Sequence, residues 1–198
     1  MTPFWQRIAR QVGDAAFAFL PTLPYSRPEK KDCSGEAVVA RGLSAGARAD
    51  GPPAFRAADF SIPCGCRTAL IGPNGSGKST TMKALLGLVA PTAGTCTIFG
   101  HDSSKVDSRR EVGFLPENPY FYKHLTGAET VAFYGHLCGL RGAALKDRIN
   151  ELLALVGLEG ARDRRLGGYS KGMLQRIGLA QALVQEPRLL ILDEPTAG

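Results

Sequence analysis

The sequence predicts an α/β fold, and three stretches of the chain carry that prediction. At 68–89 a short apolar run, a glycine-rich loop and a helical pattern follow one another. Helical patterning then dominates from about residue 126 to residue 184. The apolar run at 189–192 predicts a further buried strand. This order indicates an α/β core that carries an inserted helical subdomain at about residues 120–175.

The composition is that of a soluble globular protein. The chain has 198 residues, of which 44% are apolar and 21% are charged, and no run approaches the length of a membrane span. The net charge is +6, but the positive residues are scattered, so we expect no nucleic-acid partner. An odd number of cysteines without zinc-site spacing predicts free thiols in a reducing compartment; they are Cys33, Cys64, Cys66, Cys96 and Cys138.

Residues 1–35 are predicted to form a separate N-terminal extension. Its apolar residues fall on one helical face and predict an amphipathic helix that rests on a membrane or a partner; they include Phe4, Trp5, Ile8, Val12, Ala15, Ala16 and Phe19. An extension that packs on its own domain or is loosely ordered remains the alternative. Prolines at 21, 24 and 28 mark a linker, so we expect the folded domain to span residues 36–198.

Within this domain the patterning predicts individual elements. Thr126 and Glu129 match the capping box that begins a helix. Apolar runs predict strands at 37–41, 55–62, 68–71, 95–99 and 112–115, and helical spacing predicts helices at 78–89, 127–139 and 143–156.

The glycine-rich loop GPNGSGKST fits the pattern G-x-x-x-x-G-K-[ST] of phosphate-binding loops. Its glycines let successive backbone N–H groups point at phosphate oxygens. Lys78 brings a positive charge to the β- and γ-phosphates of a nucleotide, and the Ser79 hydroxyl can ligate Mg²⁺. The alternative is a glycine-rich turn without a ligand. The predicted nucleotide-binding residues here are Gly72, Asn74, Gly75, Ser76, Gly77, Lys78, Ser79 and Thr80.

Two acidic residues, Asp193 and Glu194, follow the predicted strand at 189–192. In proteins with phosphate loops, an Asp at the end of such a strand holds Mg²⁺, and an adjacent Glu can polarise the attacking water. The alternative is a pair of solvated surface carboxylates. Earlier in the chain, Ser170 is a natural N-cap and Gly172 lets backbone approach a ligand. They offer a second helix N-terminus to phosphate, although a capped helix without a ligand explains them equally well.

Together and in this order, the three motifs resemble those of the ATP-binding subunit of an ATP-binding cassette (ABC) transporter. GPNGSGKST is similar to the family's Walker A motif, YSKGM stands where its LSGGQ signature falls, and LLILDEP is similar to its Walker B motif. The resemblance covers about residues 36–198. YSKGMLQR and GFLPENPYFYKHLT are similar to bacterial export-type cassettes that serve a separate permease.

The resemblance implies a phosphate-loop NTPase core, a mixed sheet with flanking helices, that binds ATP and Mg²⁺. It implies catalytic roles for Lys78, Glu194 and Glu117, because Glu117 stands at the position of the family's Q-loop glutamine. It implies that Ser79, Asp193 and Glu117 support the metal. The implied activity is ATP hydrolysis coupled to transport.

The resemblance also implies partners and a location. Ser170 and Gly172 would contact the γ-phosphate of ATP held by a second subunit in a head-to-tail dimer. A separate membrane permease would be the other partner, with this chain cytoplasmic and peripheral on the inner face of the membrane. The chain stops at Thr196-Ala197-Gly198, where the family's D-loop would begin, so we expect the C-terminal part of the core to be missing. A nucleotide-binding module with little turnover and a non-transport ABC ATPase remain alternatives.

Overall fold

The computed structural model describes residues 16–17, 35–46 and 53–195. The strands are β1 (Ala16–Phe17), β2 (Glu36–Ala45), β3 (Phe55–Pro63), β4 (Ala93–Ile98), β5 (His101–Asp102), β6 (Val112–Leu115) and β7 (Leu189–Leu192). The α-helices are α1 (Lys78–Leu85), α2 (Gly127–Leu137), α3 (Gly142–Leu155) and α4 (Lys171–Leu183). Short 3-10 turns lie at Val106–Arg109, Glu159–Ala161 and Leu166–Gly168.

The described strands form two sheets. Strands β1, β7 and β6 lie in that order in a parallel sheet. Strands β3, β2, β4 and β5 lie in that order in an antiparallel sheet. The predicted α/β fold is confirmed, although the structure divides the predicted mixed sheet into these two. Because Leu115 pairs with Leu192, the carboxyl ends of β6 and β7 lie side by side.

Strand β7 is buried on both faces. Leu190 and Leu192 belong to an apolar cluster that also contains residues of α2, α3 and α4. Leu189 and Ile191 belong to a second cluster, with residues of β2, β4 and α1. Successive side chains of a strand point to opposite faces, so β7 separates the two clusters. This double burial explains why the sequence at 189–192 is apolar without alternation.

Helix α4 lies so close to β6 that glycine is required at their contact. A Cβ on Gly113 of β6 would overlap the carbonyl oxygen of Ala182 in α4. A Cβ on Gly178 of α4 would come within 2.7 Å of Leu115 Cδ1. The two glycines therefore allow the helix to pack directly on the strand.

Two arginines join α3 and α4 by a reciprocal exchange of contacts. The buried Arg148 of α3 donates to the carbonyl oxygens of residues 183 and 184, at the C-terminus of α4, over 2.5 Å and 3.3 Å. Arg176 of α4 donates to the carbonyl oxygens of residues 156 and 157, at the C-terminus of α3, over 3.2 Å and 3.0 Å. Cations at helix C-termini satisfy free carbonyl groups and complement the helix dipole. The exchange therefore stabilises both helix ends.

The predicted capping box at the start of α2 is confirmed. The Thr126 hydroxyl accepts a hydrogen bond from the Glu129 N–H at 3.2 Å, and the Glu129 carboxylate accepts one from the Thr126 N–H at 2.8 Å. The bond from the Thr126 backbone holds the pKa of Glu129 below its usual value. Two otherwise free N–H groups are thereby satisfied.

Tyr169 anchors the loop that leads into α4. Its hydroxyl donates to the carbonyl oxygen of Ala161 at 2.7 Å, and a Cβ on Gly127 would collide with that hydroxyl. Burial of the side chain raises the pKa of Tyr169. The tyrosine therefore fixes the loop against the first turn of α2 and the turn at 159–161.

Two sequence predictions within residues 35–195 are wrong. The segment 68–71 forms no strand, and Leu70 and Ile71 are 43% and 83% exposed. Strand β7 pairs with β6 on one edge and with β1 on the other, so this segment finds no ladder partner there.

Cys64 is disulfide-bonded, whereas free thiols were predicted; Cys66, Cys96 and Cys138 are free. Cysteine spacing alone does not tell which sulfur atoms meet in space.

Little of the predicted N-terminal extension is described. The backbone of Ala16 and Phe17 forms β1, parallel to Leu189 and Leu190, where the sequence predicts a helix. The other residues before 35 lie outside the described part of the chain. Within the described part, no helix is long and apolar enough to cross a membrane.

The substitution Gly113→Ala tests the contact between α4 and β6. The added methyl group meets backbone that cannot move without shifting the helix, so we expect the free energy of unfolding to fall by about 1–3 kcal/mol. Urea unfolding measures the change. Gly160→Ala is the matched control, because a Cβ there meets nothing within 4 Å. Equal unfolding midpoints for the two variants would contradict the tight contact.

The substitution Tyr169→Phe tests the anchor and its dependence on pH. Loss of the bond to Ala161 should cost about 1 kcal/mol at neutral pH. Because the pKa of Tyr169 is raised in the folded state, its contribution to stability is complete below the ordinary tyrosine pKa of about 10 and is lost as the pH rises through the folded pKa. Thermal unfolding between pH 7 and about pH 11 should therefore show a smaller alkaline loss in Tyr169→Phe than in wild type. Tyr120→Phe, at an exposed tyrosine, is the control.

Candidate functional site

The glycine-rich loop adopts the backbone that its sequence predicts. Gly75 and Gly77 have φ angles of 82° and 90°, in the left-handed region that glycine adopts without strain. Helix α1 begins directly after Gly77, and no side chain caps its N-terminus. The first N–H groups of α1 therefore remain available to an anion.

Lys78 lies folded over its own loop. Its Nζ atom donates to the carbonyl oxygens of Gly72 at 2.8 Å and Pro73 at 3.1 Å. These acceptors are neutral, and a cation bonds more strongly to a phosphate than to a neutral carbonyl. The lysine is thus held at the loop by contacts that an anionic ligand can replace.

The phosphate loop borders the start of β3, because a Cβ on Gly77 would come within 3.1 Å of the Ala54 carbonyl oxygen. Phe55, the first residue of β3, is half-buried against the second apolar cluster. Gly72, Gly77, Lys78, Ser79 and Thr80 are half-buried, whereas Asn74, Gly75 and Ser76 are exposed.

The predicted carboxylates lie at the end of β7. Asp193 is buried, with 4% of its surface exposed, and its N–H donates to the Leu115 carbonyl oxygen at 2.9 Å. Glu194 is exposed and has a φ angle of 48°, which residues other than glycine rarely adopt. Such backbone strain persists where the surroundings hold a residue in place, and it occurs often at functional sites.

Glu117 lies at the end of the neighbouring strand, two residues beyond Leu115 of β6. Its side chain is exposed, and its carbonyl oxygen accepts a hydrogen bond from Gln175 Nε2 at 2.6 Å. Because β6 and β7 are paired up to Leu115 and Leu192, the three predicted acidic residues follow adjacent strand ends.

An apolar cavity lies between helix α1, the segment that precedes the phosphate loop, and strand β7. Its volume is about 270 Å³. Residues of β7, of α1 and of the segment that precedes the loop all line it, including Leu189, Ile191, Thr81, Met82, Thr68 and Leu70. Helix α1, the segment before the phosphate loop and strand β7 therefore border one space, whereas the loop residues 72–80 and the carboxylates Asp193 and Glu194 are not among the residues that line it.

Ser170 and Gly172 belong to a different part of the molecule. The Ser170 hydroxyl accepts a hydrogen bond from the Met173 N–H at 3.3 Å, which confirms the predicted N-cap. Helix α4 packs against α2, α3 and β6. The structure thus groups these two residues with helices α2 and α3 and with β6, whereas the phosphate loop precedes α1.

The residues present fit a nucleoside triphosphate with Mg²⁺. The loop offers the Lys78 cation, the Ser79 hydroxyl and uncapped N–H groups, and β7 ends in carboxylates. Among the described residues, no three His, Cys, Asp or Glu side chains gather into a metal cluster. Mg²⁺ commonly takes one or two carboxylates beside phosphate oxygens and water, so a nucleotide site does not require such a cluster.

No sequence motif predicts a role for Gln175. This side chain is 7% exposed and contacts the backbone of Glu117. The available signal was a glutamine on the buried face of a helix, in the same stretch as Ser170. Polar residues are rarely buried without a bonding partner, but the partner was visible only in the structure.

Comparison with known proteins identifies the family. Residues 55–197 match the ABC transporter family. YxlF of Bacillus subtilis (strain 168), named an uncharacterized ABC transporter ATP-binding protein, is 50% identical over 129 residues, which are 65% of this chain and 43% of YxlF. The daunorubicin/doxorubicin resistance ATP-binding protein DrrA of Streptomyces peucetius is 40% identical over 151 residues, 75% of this chain and 46% of DrrA. The chain thus spans less than half the length of either relative.

Solved structures agree with this match. The structure of an ATP-binding subunit of an ABC transporter has a TM-score of 0.72 and 33% identity, and the match covers 81% of this chain and 67% of that one. The structure of cbiO1 from Clostridium perfringens, part of the ABC transporter complex cbiONQ, has a TM-score of 0.71 and 29% identity, with 82% and 67% covered. Both confirm the resemblance drawn from the three motifs, and the chain belongs to the ABC transporter family, as an ATP-binding protein of that family.

Proposed function

We propose that this chain binds and hydrolyses ATP as part of an ABC transporter subunit, and that it couples both events to a separate membrane permease. The observation that carries the proposal is the phosphate loop, in which Lys78 lies over a glycine-rich backbone at an uncapped helix N-terminus. The names of YxlF and DrrA as ATP-binding proteins support it. On this proposal the chain works in the cytoplasm, peripheral on the inner face of the membrane.

The loop residues bind the triphosphate. Lys78 Nζ exchanges the carbonyl oxygens of Gly72 and Pro73 for phosphate oxygens, because charge-assisted bonds are about twice as strong as neutral ones. Backbone N–H groups at 74–80 donate to the same phosphates. Phe55, which follows Ala54 beside the loop, is the aromatic residue that we assign to the base, although its side chain packs against the second apolar cluster.

The acidic residues support the metal and the reaction. Ser79, Asp193 and Glu117 would hold Mg²⁺. Mg²⁺, when bound, neutralises negative charge that develops on the phosphates. Glu194 orients and polarises the attacking water as a general base, and Lys78 stabilises charge on the transferred group.

We assign Ser170 and Gly172 to ATP held by a second subunit, in a head-to-tail dimer. Ser170 is exposed at the start of α4. The contacts of α4 are with the helical subdomain and β6, which leaves the start of this helix a surface feature. A helix N-terminus there offers N–H groups to the phosphates of a neighbouring nucleotide.

An exposed apolar patch supports the proposed permease contact. Phe133 and Leu137 lie one turn apart on α2, and the Tyr122 ring meets that of Phe133 with centroids 5.9 Å apart. Tyr120, which closely follows Glu117, is 91% exposed. Exposed apolar side chains that lie near one another mark interaction sites, so we define the permease patch as Tyr122, Phe133 and Leu137, together with Tyr120, which lies two residues before Tyr122 in the sequence.

The substitution Lys78→Ala tests ATP binding. Loss of a charge-assisted contact worth roughly 1.5–3 kcal/mol should weaken Mg-ATP binding at least about tenfold. Titration of the full chain with a fluorescent ATP analogue measures the affinity. Lys83→Ala is the matched control, since Lys83 is exposed in the last turn of the same helix. If both variants bind as wild type does, the loop is not the nucleotide site.

Hydrolysis is tested on the same proteins by steady-state phosphate release. Glu194→Gln should lower the rate by about two orders of magnitude or more, because a positioned general base contributes on that scale, while binding stays within a few-fold of wild type. Equal rates in wild type and Glu194→Gln would favour the alternative of a nucleotide-binding module with little turnover.

The permease patch is tested with the paired substitution Tyr120→Asp and Leu137→Asp. Two buried charges at an apolar contact are costly, so we expect loss of co-sedimentation with membranes that contain a permease co-expressed from neighbouring genes. Val106→Asp, at another exposed apolar residue, should sediment as wild type does. Retention of the double variant on the membranes would place the permease contact elsewhere.

A further inference from the structure

Two glutamines of the α4 region bind β6 at opposite ends. Gln175 Nε2 donates to the carbonyl oxygen of Glu117 at 2.6 Å, just beyond the C-terminal end of β6. Gln185 Nε2 donates to the carbonyl oxygen of Val112 at 2.5 Å, at the N-terminal end of β6. Between these bonds the helix packs on the strand through the two glycine contacts.

The Gln175 amide group uses only its Nε2 donor, and its Oε1 acceptor makes no hydrogen bond to the described residues. The residue is 7% exposed. A buried acceptor without a partner is unfavourable, so an apolar side chain of equal size would suit this position better if packing were its only task. The bond to Glu117 is the observed contact that an apolar side chain could not make.

The position of this bond ties α4 to the carboxylates. Asp193 N–H donates to the carbonyl oxygen of Leu115 at 2.9 Å, and Leu115 is separated from Glu117 by one residue. The bond to the Glu117 carbonyl oxygen therefore restrains the end of β6, which carries the Leu115 carbonyl oxygen that accepts the hydrogen bond from the Asp193 N–H. The same helix begins with Ser170 at its N-cap, five residues before Gln175.

We propose that Gln175 is a positioning residue that locks the end of β6 to α4, so that Glu117, Asp193 and the start of α4 keep a fixed relation. The part of this inference that concerns Mg²⁺ rests on the proposed function. Gln175 touches neither nucleotide nor metal, and it acts through the backbone of Glu117. A shift of the helical subdomain would then be passed to the metal-holding end of the sheet.

Amide exchange in the full chain without nucleotide tests the lock. Gln175→Met keeps the size of the side chain and removes both the donor and the unpartnered oxygen. We expect the Asp193 N–H to exchange about three- to tenfold faster, as loss of one hydrogen bond allows. Gln185→Met is the matched control, and it should instead speed exchange at Leu189, whose N–H donates to Glu111 at the opposite end of the ladder. Unchanged exchange at Asp193 in Gln175→Met, or equal effects of the two variants at both ends, overturns the inference.

Nucleotide binding tests the consequence for the metal. Affinity for a fluorescent, non-hydrolysable ATP analogue is measured with and without Mg²⁺. Gln175→Met should reduce the gain in affinity from Mg²⁺ about three- to tenfold and leave the affinity without Mg²⁺ unchanged, which a general loss of structure would not do. Gln185→Met should behave as wild type.

The two hypotheses fail in different ways. If wild type gains affinity from Mg²⁺ and Gln175→Met gains as much, the inference is overturned while the proposed function stands. If wild type binds no nucleotide, the proposed function fails and the metal part of the inference fails with it, while the exchange at Asp193 still decides whether Gln175 locks the strand end.

Discussion

The burial of β7 on both faces is the constraint on which the rest of the structure depends. A strand of four apolar residues between two apolar clusters resists a shift along its axis, because a shift would bring the charged side chain of Arg188 or Asp193 into one of the clusters. The strand therefore fixes where Asp193 and Glu194 emerge. The positive φ angle of Glu194 shows that the chain turns sharply as soon as it leaves this double burial.

Helix α4 packs between β6, which pairs with that fixed strand, and helices α2 and α3. It packs on β6 through glycine contacts. Its C-terminal carbonyl groups accept hydrogen bonds from Arg148 of α3, and its own Arg176 donates to the carbonyl groups at the C-terminus of α3. These bonds use backbone carbonyl groups that a helix end leaves free. They combine apolar packing with directional bonds, so α3, α4 and β6 are joined at several independent points. On the inference above, the bond from Gln175 to Glu117 therefore links α4 to the acidic residues at the ends of β6 and β7, although α4 does not itself line that site.

Local patterns predicted much of this arrangement, and non-local pairings limited the rest. The capping box at Thr126, the strand at 112–115 and the double-faced strand at 189–192 were predicted because their signals lie within a few residues. The segment 68–71 was predicted as a strand from its apolar character, but a strand also needs a free neighbouring edge, and β7 pairs with β1 and β6. The roles of Gln175 and the disulfide of Cys64 depend on distant partners, which composition and spacing do not encode. At the site, the loop conformation followed from its glycines, whereas the two carbonyl groups that hold Lys78 required the structure.

The two sides of the candidate site are held by different kinds of force. Asp193 is held by the apolar burial of β7 and by a backbone ladder bond, neither of which a ligand replaces. Lys78 is held by two bonds to neutral carbonyl groups of its own loop, and a phosphate can replace both at a gain in free energy. An apolar cavity lies between α1 and β7. On the proposed function, a nucleotide that bonds to the loop and, through Mg²⁺, to the carboxylates would supply a polar link between these two differently held sides.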